Sequence, residues 1–121
     1  MLDKIILDYG VLSDALISKI IFEERGGRIG KVIITMTVSN YSNDYKYEII
    51  QITFENVIKL RFVEIENVSN LVINAALLKE LNGMITFDFF PENYSTGLIE
   101  DPNSDFEIKC TQVNYEVIEI L

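Results

Sequence analysis

Apolar side chains recur at every second position through residues 31–40, and that spacing restricts the chain more than any other feature it has. An extended strand sends successive side chains to opposite faces. Val32, Ile34, Met36 and Val38 therefore share one face, while Thr35, Thr37 and Ser39 share the other. Asn40-Tyr41-Ser42-Asn43-Asp44 is a run of turn formers, so this strand is expected to pair with the next through a short loop. The same period runs through 84–90, with Ile85, Phe87 and Phe89 inward and Thr86 and Asp88 outward. It returns at the C-terminus, with Phe106, Ile108 and Cys110 inward against Glu107, Lys109 and Thr111.

The period slips at three places. Tyr45, Tyr47 and Ile49 give way to Ile50, Ile52 and Phe54; Ile58, Leu60 and Phe62 to Val63 and Ile65; Val113, Tyr115 and Val117 to Ile118 and Ile120. A one-residue slip turns every later side chain to the other face unless a bulge absorbs it. The pattern thus implies curved strands, or strands covered on both faces. One stretch reads differently. Ser69 or Asn70 can cap a helix over 71–81 that buries Leu71, Ala75, Leu78 and Leu81 and stops at Asn82-Gly83; the competing reading is a strand over 71–74. Residues 14–24 read as a strand entering a hairpin at Gly26-Gly27, or as a turn capped by Asp14. The expected fold is one mainly β domain over residues 1–121, an antiparallel sandwich or partly open barrel of about seven to eight strands with one short helix.

The chemistry is bounded by what is missing. The 121 residues include no histidine and no tryptophan, one cysteine, and a formal net charge of −9. Without histidine, most proton-transfer and metal-site designs fall away. Paired carboxylates remain as the one catalytic device, yet no tryptophan lines a sugar cleft, and no enzyme activity is expected. Asp101-Pro102-Asn103-Ser104-Asp105 lacks the glycine and flanking helices of a calcium loop and reads as a turn. Gly26-Gly27-Arg28-Ile29-Gly30 lacks the lysine and serine or threonine of a phosphate loop. No metal or cofactor is expected. Cys110 falls on an apolar face with no basic neighbour, as a buried hydrophobe does. The acidic balance argues against nucleic acid and anionic membranes as partners and allows a basic protein. The first residues carry no signal-peptide pattern, and the apolar runs fall short of the roughly 20 residues that cross a bilayer. A cytoplasmic protein is expected.

The connection over 91–104 is long for a compact domain. It and its flanks carry Asp88, Glu92, Tyr94, Glu100, Asp101 and Asp105, an acidic set around one tyrosine that suits a protein contact. Three further stretches, Ile52-Thr53-Phe54-Glu55-Asn56-Val57, Leu60-Arg61-Phe62, and Phe106-Glu107-Ile108-Lys109-Cys110 with Glu116-Val117-Ile118, resemble the core stretch and terminal strand pair of small immunity proteins of bacterial polymorphic toxin systems. The resemblance implies a non-enzymatic protein that neutralises a toxin, and it transfers no binding residue by position. The alternative is a small-ligand-binding barrel or enzyme, its cavity lined by Tyr45, Tyr47, Phe54, Phe62, Phe87 and Phe89. The high net charge favours a monomer over a homodimer, and the tail over 117–121 is expected either under the helix or in a dimer contact.

Overall fold

Long alternating strands pair in sequence order when short turns separate them, and the first three do so here. The computed structural model describes residues 1–64 and 71–121. A short helix α1 (Leu2–Tyr9) precedes β1 (Ala15–Arg25), β2 (Arg28–Asn40) and β3 (Lys46–Phe62), which form an antiparallel meander. Then come β4 (Val72–Ile73), β5 (Leu77–Leu81), β6 (Met84–Asp88), β7 (Glu92–Tyr94), β8 (Gly97–Ile99) and β9 (Phe106–Ile120). Seven strands make one antiparallel sheet in the order β4-β1-β2-β3-β9-β6-β5, and β7 and β8 pair only with each other. Among the described residues the fold is mainly β, a strongly curled half-barrel with one short helix.

The curl has identifiable sources. Four of the five interior strands, β6 excepted, each carry a single extra residue, which bends and twists the strand locally. Ser18 is extra on β1, Gly30 on β2, Ile58 on β3 and Ile118 on β9. Of the three slips expected from the sequence, that at Val117/Ile118 is a true bulge. Ile49/Ile50 is not a slip within β3, because Glu48, Ile50, Ile52 and Phe54 are all buried and keep one phase. Tyr47 and Ile49 simply lie on the outer face. The slip read at Val63/Ile65 falls partly outside the described residues; the nearby irregularity is the bulge at Ile58. Arg28 holds that bulge by donating from Nη2 to the carbonyls of Val57 and Ile58, at 2.5 and 2.7 Å.

The helix expected over 71–81 is absent, and its cap residues Ser69 and Asn70 lie outside the described residues. Ala-Ala-Leu-Leu-Lys-Glu-Leu is a good helix former, but Asn82-Gly83 joins two strands: Leu81 pairs with Met84 across it, with φ of 53° and 79° at the two turn residues. A two-residue turn with both φ positive matches strand twist and favours Asn-Gly. Cross-strand pairing with β6 thus overrides local propensity, and the competing strand reading of 71–74 survives as β4. The helix forms instead at Leu2–Tyr9, where Leu2, Ile5 and Tyr9 recur at helical spacing and are buried. The tail at Val117–Ile120 is not tucked under a helix: it extends β9 along Glu48–Ile50 of β3.

The core occupies the concave face. Val32, Ile34, Met36, Ile50, Ile52, Phe54, Phe87, Ile108 and Cys110 are buried there, and α1 closes it. Edge-to-face and stacked ring pairs run through Phe54, Phe87, Phe89, Phe106 and Phe62, with centroids 4.5–6.0 Å apart. Polar ties seat the helix: Tyr9 donates to Glu48 at 2.8 Å, Tyr115 donates to Asp8 at 2.7 Å, and the Tyr41 amide donates to the Asp8 carbonyl at 2.6 Å. Gly10 ends the helix at φ 59°, and a Cβ there would run into the Tyr41 ring. Replacing Gly10 with alanine should therefore cost roughly 1–3 kcal/mol of stability, read as a lower denaturation midpoint with the denaturant slope unchanged.

Candidate functional site

Antiparallel register sets side chains on neighbouring strands in rows, and two rows on the outer face of β3, β9, β6 and β5 are polar but for Leu77. The first is Lys59, Lys109, Thr86 and Lys79; the second is Arg61, Glu107, Asp88 and Leu77. Period two alone would leave these groups in water. Instead Thr86, Asp88 and Glu107 are at most 2% exposed, because the chain leaving β8 comes down over them. The sequence expectation of an outward, solvated Asp88 and Glu107 is corrected by that cover, which alternation within a single strand cannot reveal.

Each buried acid has a distinct solution. Asp88 accepts from the backbone amides of Phe90 at 3.1 Å and Asp101 at 2.8 Å, so it fastens both ends of the 91–100 excursion to the sheet. Glu100 is half-buried and bridges Lys109 at 2.9 Å and Lys79 at 3.3 Å. Lys109 also donates to Thr86 Oγ1 at 3.1 Å. A hydrogen bond with Glu107, together with the two lysines, lowers the Glu100 pKa to about 2 against the cost of burial. Glu107 pairs through Oε1 with Lys59 at 3.1 Å. Burial, followed by the neighbouring Glu100, raises its pKa, and Lys59 only partly offsets this.

Between these anchors the expected long loop is a small hairpin, β7–β8, turning at Ser95-Thr96. Glu92, Asn93 and Tyr94 are exposed along β7, and the Tyr94 hydroxyl donates to Glu92 at 2.9 Å. That bond raises the Tyr94 pKa. Asp101 and Asp105 are half-buried. Asp101 accepts the Asn103 amide at 2.8 Å, and the Asp105 carbonyl accepts the Val63 amide at 2.8 Å. The turn expected at 101–105 is present, braced by Arg61 donating to the Ser104 carbonyl at 2.8 Å.

The six acidic and aromatic residues singled out in the sequence are therefore divided. Glu92 and Tyr94 face solvent on the hairpin, whereas Asp88, Glu100 and, in part, Asp101 hold it down. Lys59, Lys79, Lys109, Thr86 and Glu107 belong to the anchor and were not singled out. Their link to Glu100 depends on the register of four strands, which no local signal carries.

The other candidate chemistry is placed as follows. Cys110 is buried, with its thiol pushed up to about 11 by burial, as the inert reading expected. The aromatic set proposed for an internal cavity disperses: Phe54, Phe87 and Phe89 fill the core, while Tyr45 and Tyr47 are 67% and 54% exposed. A groove of about 300 Å³ runs between the start of α1 and strands β5, β6 and β9, lined by Asp3, Glu80, Thr111, Gln112 and Asn114. Those five side chains are all exposed. Among the described residues no three carboxylate or thiol groups gather as metal ligands, and no helix is long and apolar enough to cross a membrane. Comparison of the chain with protein-family models, curated proteins and solved structures finds no match.

Changing Asp88 to alanine leaves the Phe90 and Asp101 amides without their acceptor. This should cost roughly 1–3 kcal/mol and make the Ser95–Gly97 turn the first site of limited proteolysis, read by mass spectrometry of the early fragments.

Proposed function

We propose that the chain is a non-enzymatic protein-binding module, an acidic immunity protein that neutralises a toxin with a basic surface. In this reading it acts in the cytoplasm as a monomer and offers the β7–β8 hairpin as its contact. The observation that carries the reading is the exposed Glu92–Tyr94 pair on a hairpin tied to the sheet at both ends. Tyrosine supplies broad contact area at low entropic cost, and an anchored strand loses little further freedom on binding. The −9 charge speeds encounter with a cationic partner and disfavours other acidic proteins.

The hairpin contributes geometry and orientation, and the acidic background contributes the rate of approach. Asp88, Glu100 and Asp101 act here through the hairpin they hold, while Glu92 and Tyr94 make the contact. Glu92 has two tasks, since it carries charge and accepts the Tyr94 hydroxyl.

The test pairs this chain with the product of the gene beside its own, expressed together and apart. The expected result is that the neighbour alone stops growth and that co-expression restores it. Purified, the two should form a complex whose association slows as salt rises. Tyr94→Ala should weaken that complex by ~2 kcal/mol, roughly thirtyfold in Kd. Glu92→Lys should mainly slow association and flatten its salt dependence. A harmless neighbour with no complex overturns the immunity reading; a complex indifferent to both substitutions overturns the assignment of the hairpin.

A further inference from the structure

A carboxylate oxygen in water accepts hydrogen bonds continuously, so a buried one needs a donor or a proton of its own. Glu107 is 2% exposed, and no N–H or O–H among the described residues reaches its Oε2. Its other oxygen takes Lys59. Glu100 is brought beside it by two contacts: Lys109, two residues along β9 on the same face, pairs with the Glu100 carboxylate, and the amide of the next residue, Asp101, donates to Asp88 directly opposite Glu107. Two carboxylates can hydrogen-bond only if one of them carries a proton.

Among the described residues the surrounding charges do not supply an alternative donor. Lys59 and Arg61 reach this area from β3, Lys79 from β5, Asp88 from β6, Lys109 from β9, and Asp101 from the segment after β8. Lys79 is engaged with Glu100, and Lys109 with Glu100 and Thr86. Arg61 donates to the Ser104 carbonyl, and Asp88 is occupied by two backbone amides. Glu92, on the hairpin itself, accepts from Tyr94.

We infer that Glu100 and Glu107 share a single proton, and that this proton clamps the chain leaving the β7–β8 hairpin onto the sheet, so that the clamp loosens when the proton is lost to water. Loss of the proton leaves two facing carboxylates, one of them buried, and repulsion then favours lifting Glu100 away. The clamp belongs to this chain alone and does not depend on the partner proposed above.

The direction with pH follows from the two groups. Glu107, raised above its ordinary value, gives stability that is full below about 4.5 and is lost as pH rises through its own titration. Glu100, lowered to about 2, gives stability present above 4.5 that is lost only as pH falls toward 2. The clamp is therefore tightest in mild acid and looser in alkali. The expected loss is about tenfold in the closing equilibrium for every pH unit by which the Glu107 titration is raised.

The full chain, labelled with carbon-13, decides this by nuclear magnetic resonance between pH 3 and pH 9. The side-chain carboxyl shifts of Glu100 and Glu107 report the two titrations. Amide exchange at Asp101, corrected for its intrinsic pH dependence, reports the clamp. Glu107 should titrate above the ordinary glutamate range, and Asp101 protection should fall in step. Glu107→Gln keeps a donor toward Glu100 and an acceptor for Lys59 but cannot titrate, so its Asp101 protection should be flat with pH. Titration of Glu107 at or below the ordinary value overturns the inference, as does a protection profile in Glu107→Gln that falls like the parent's. If that variant does not fold, the carboxyl titration of the parent chain decides alone.

Discussion

A sheet that curls through half a barrel leaves a concave face which the strands cannot close themselves, and here Tyr9 is the side chain that fixes the closure. Its ring is fully buried in the core and meets Tyr115 edge to face at 5.4 Å. Its hydroxyl donates to Glu48, a buried carboxylate that also takes the Asn40 amide at 3.1 Å on each oxygen. Burial and the Glu48 charge raise the Tyr9 pKa strongly, so the phenol stays a donor wherever the protein is folded. One residue thus joins α1 to β2, β3 and β9. Asp8 beside it, its pKa lowered chiefly by the Tyr115 hydroxyl bond, ties the same helix to β9 a second time.

Two buried glutamates, one on each face of the sheet, are treated differently. Glu48, on the inner face, has donors for both oxygens, and a satisfied buried polar group specifies one arrangement of its neighbours. Glu107, on the outer face, has a lysine for one oxygen and another acid beside the other. An apolar row at Thr86, Asp88, Glu107 and Lys109 would bury the outer face as well. It would not distinguish a hairpin seated over β6 and β9 from one shifted along them. The polar rows give that excursion a defined seat at the cost of partly desolvated charge.

Alternation in 31–40, 84–90 and 106–111, with the turn formers at 40–44 and Gly26-Gly27, is enough to read the β meander and the buried Cys110, whereas of the three slips that pointed to a curl only that at Val117/Ile118 is a bulge. The failures have a common physical origin. At 71–81, pairing with β6 across the Asn82-Gly83 turn outcompetes the local helix propensity. At Leu2–Tyr9 the helical spacing was present but short, and the helix draws its stability from the sheet it plugs. The burial of Asp88 and Glu107 is not legible because a strand's own period says which face a residue occupies, not what covers that face. Glu92 and Tyr94 are legible as exposed because they sit among the polar and turn-forming residues Asn93, Ser95, Thr96 and Gly97.

The order of the sheet has a consequence for how the chain reaches it. The β1–β2–β3 meander and the β5–β6 hairpin join residues close in sequence and can form early. The central seam between β3 and β9 runs from Glu48 with Ile120 to Phe62 with Phe106, and closing it means ordering most of the chain between them. Loop closure of that span precedes the contacts that reward it, which places the domain among slow folders rather than with helical bundles. The helix can seat only once β2 and β9 are together, since its ties are to Asn40's neighbour Tyr41 on one side and to Tyr115 on the other. Completion of the core therefore waits on the last strand of the sheet.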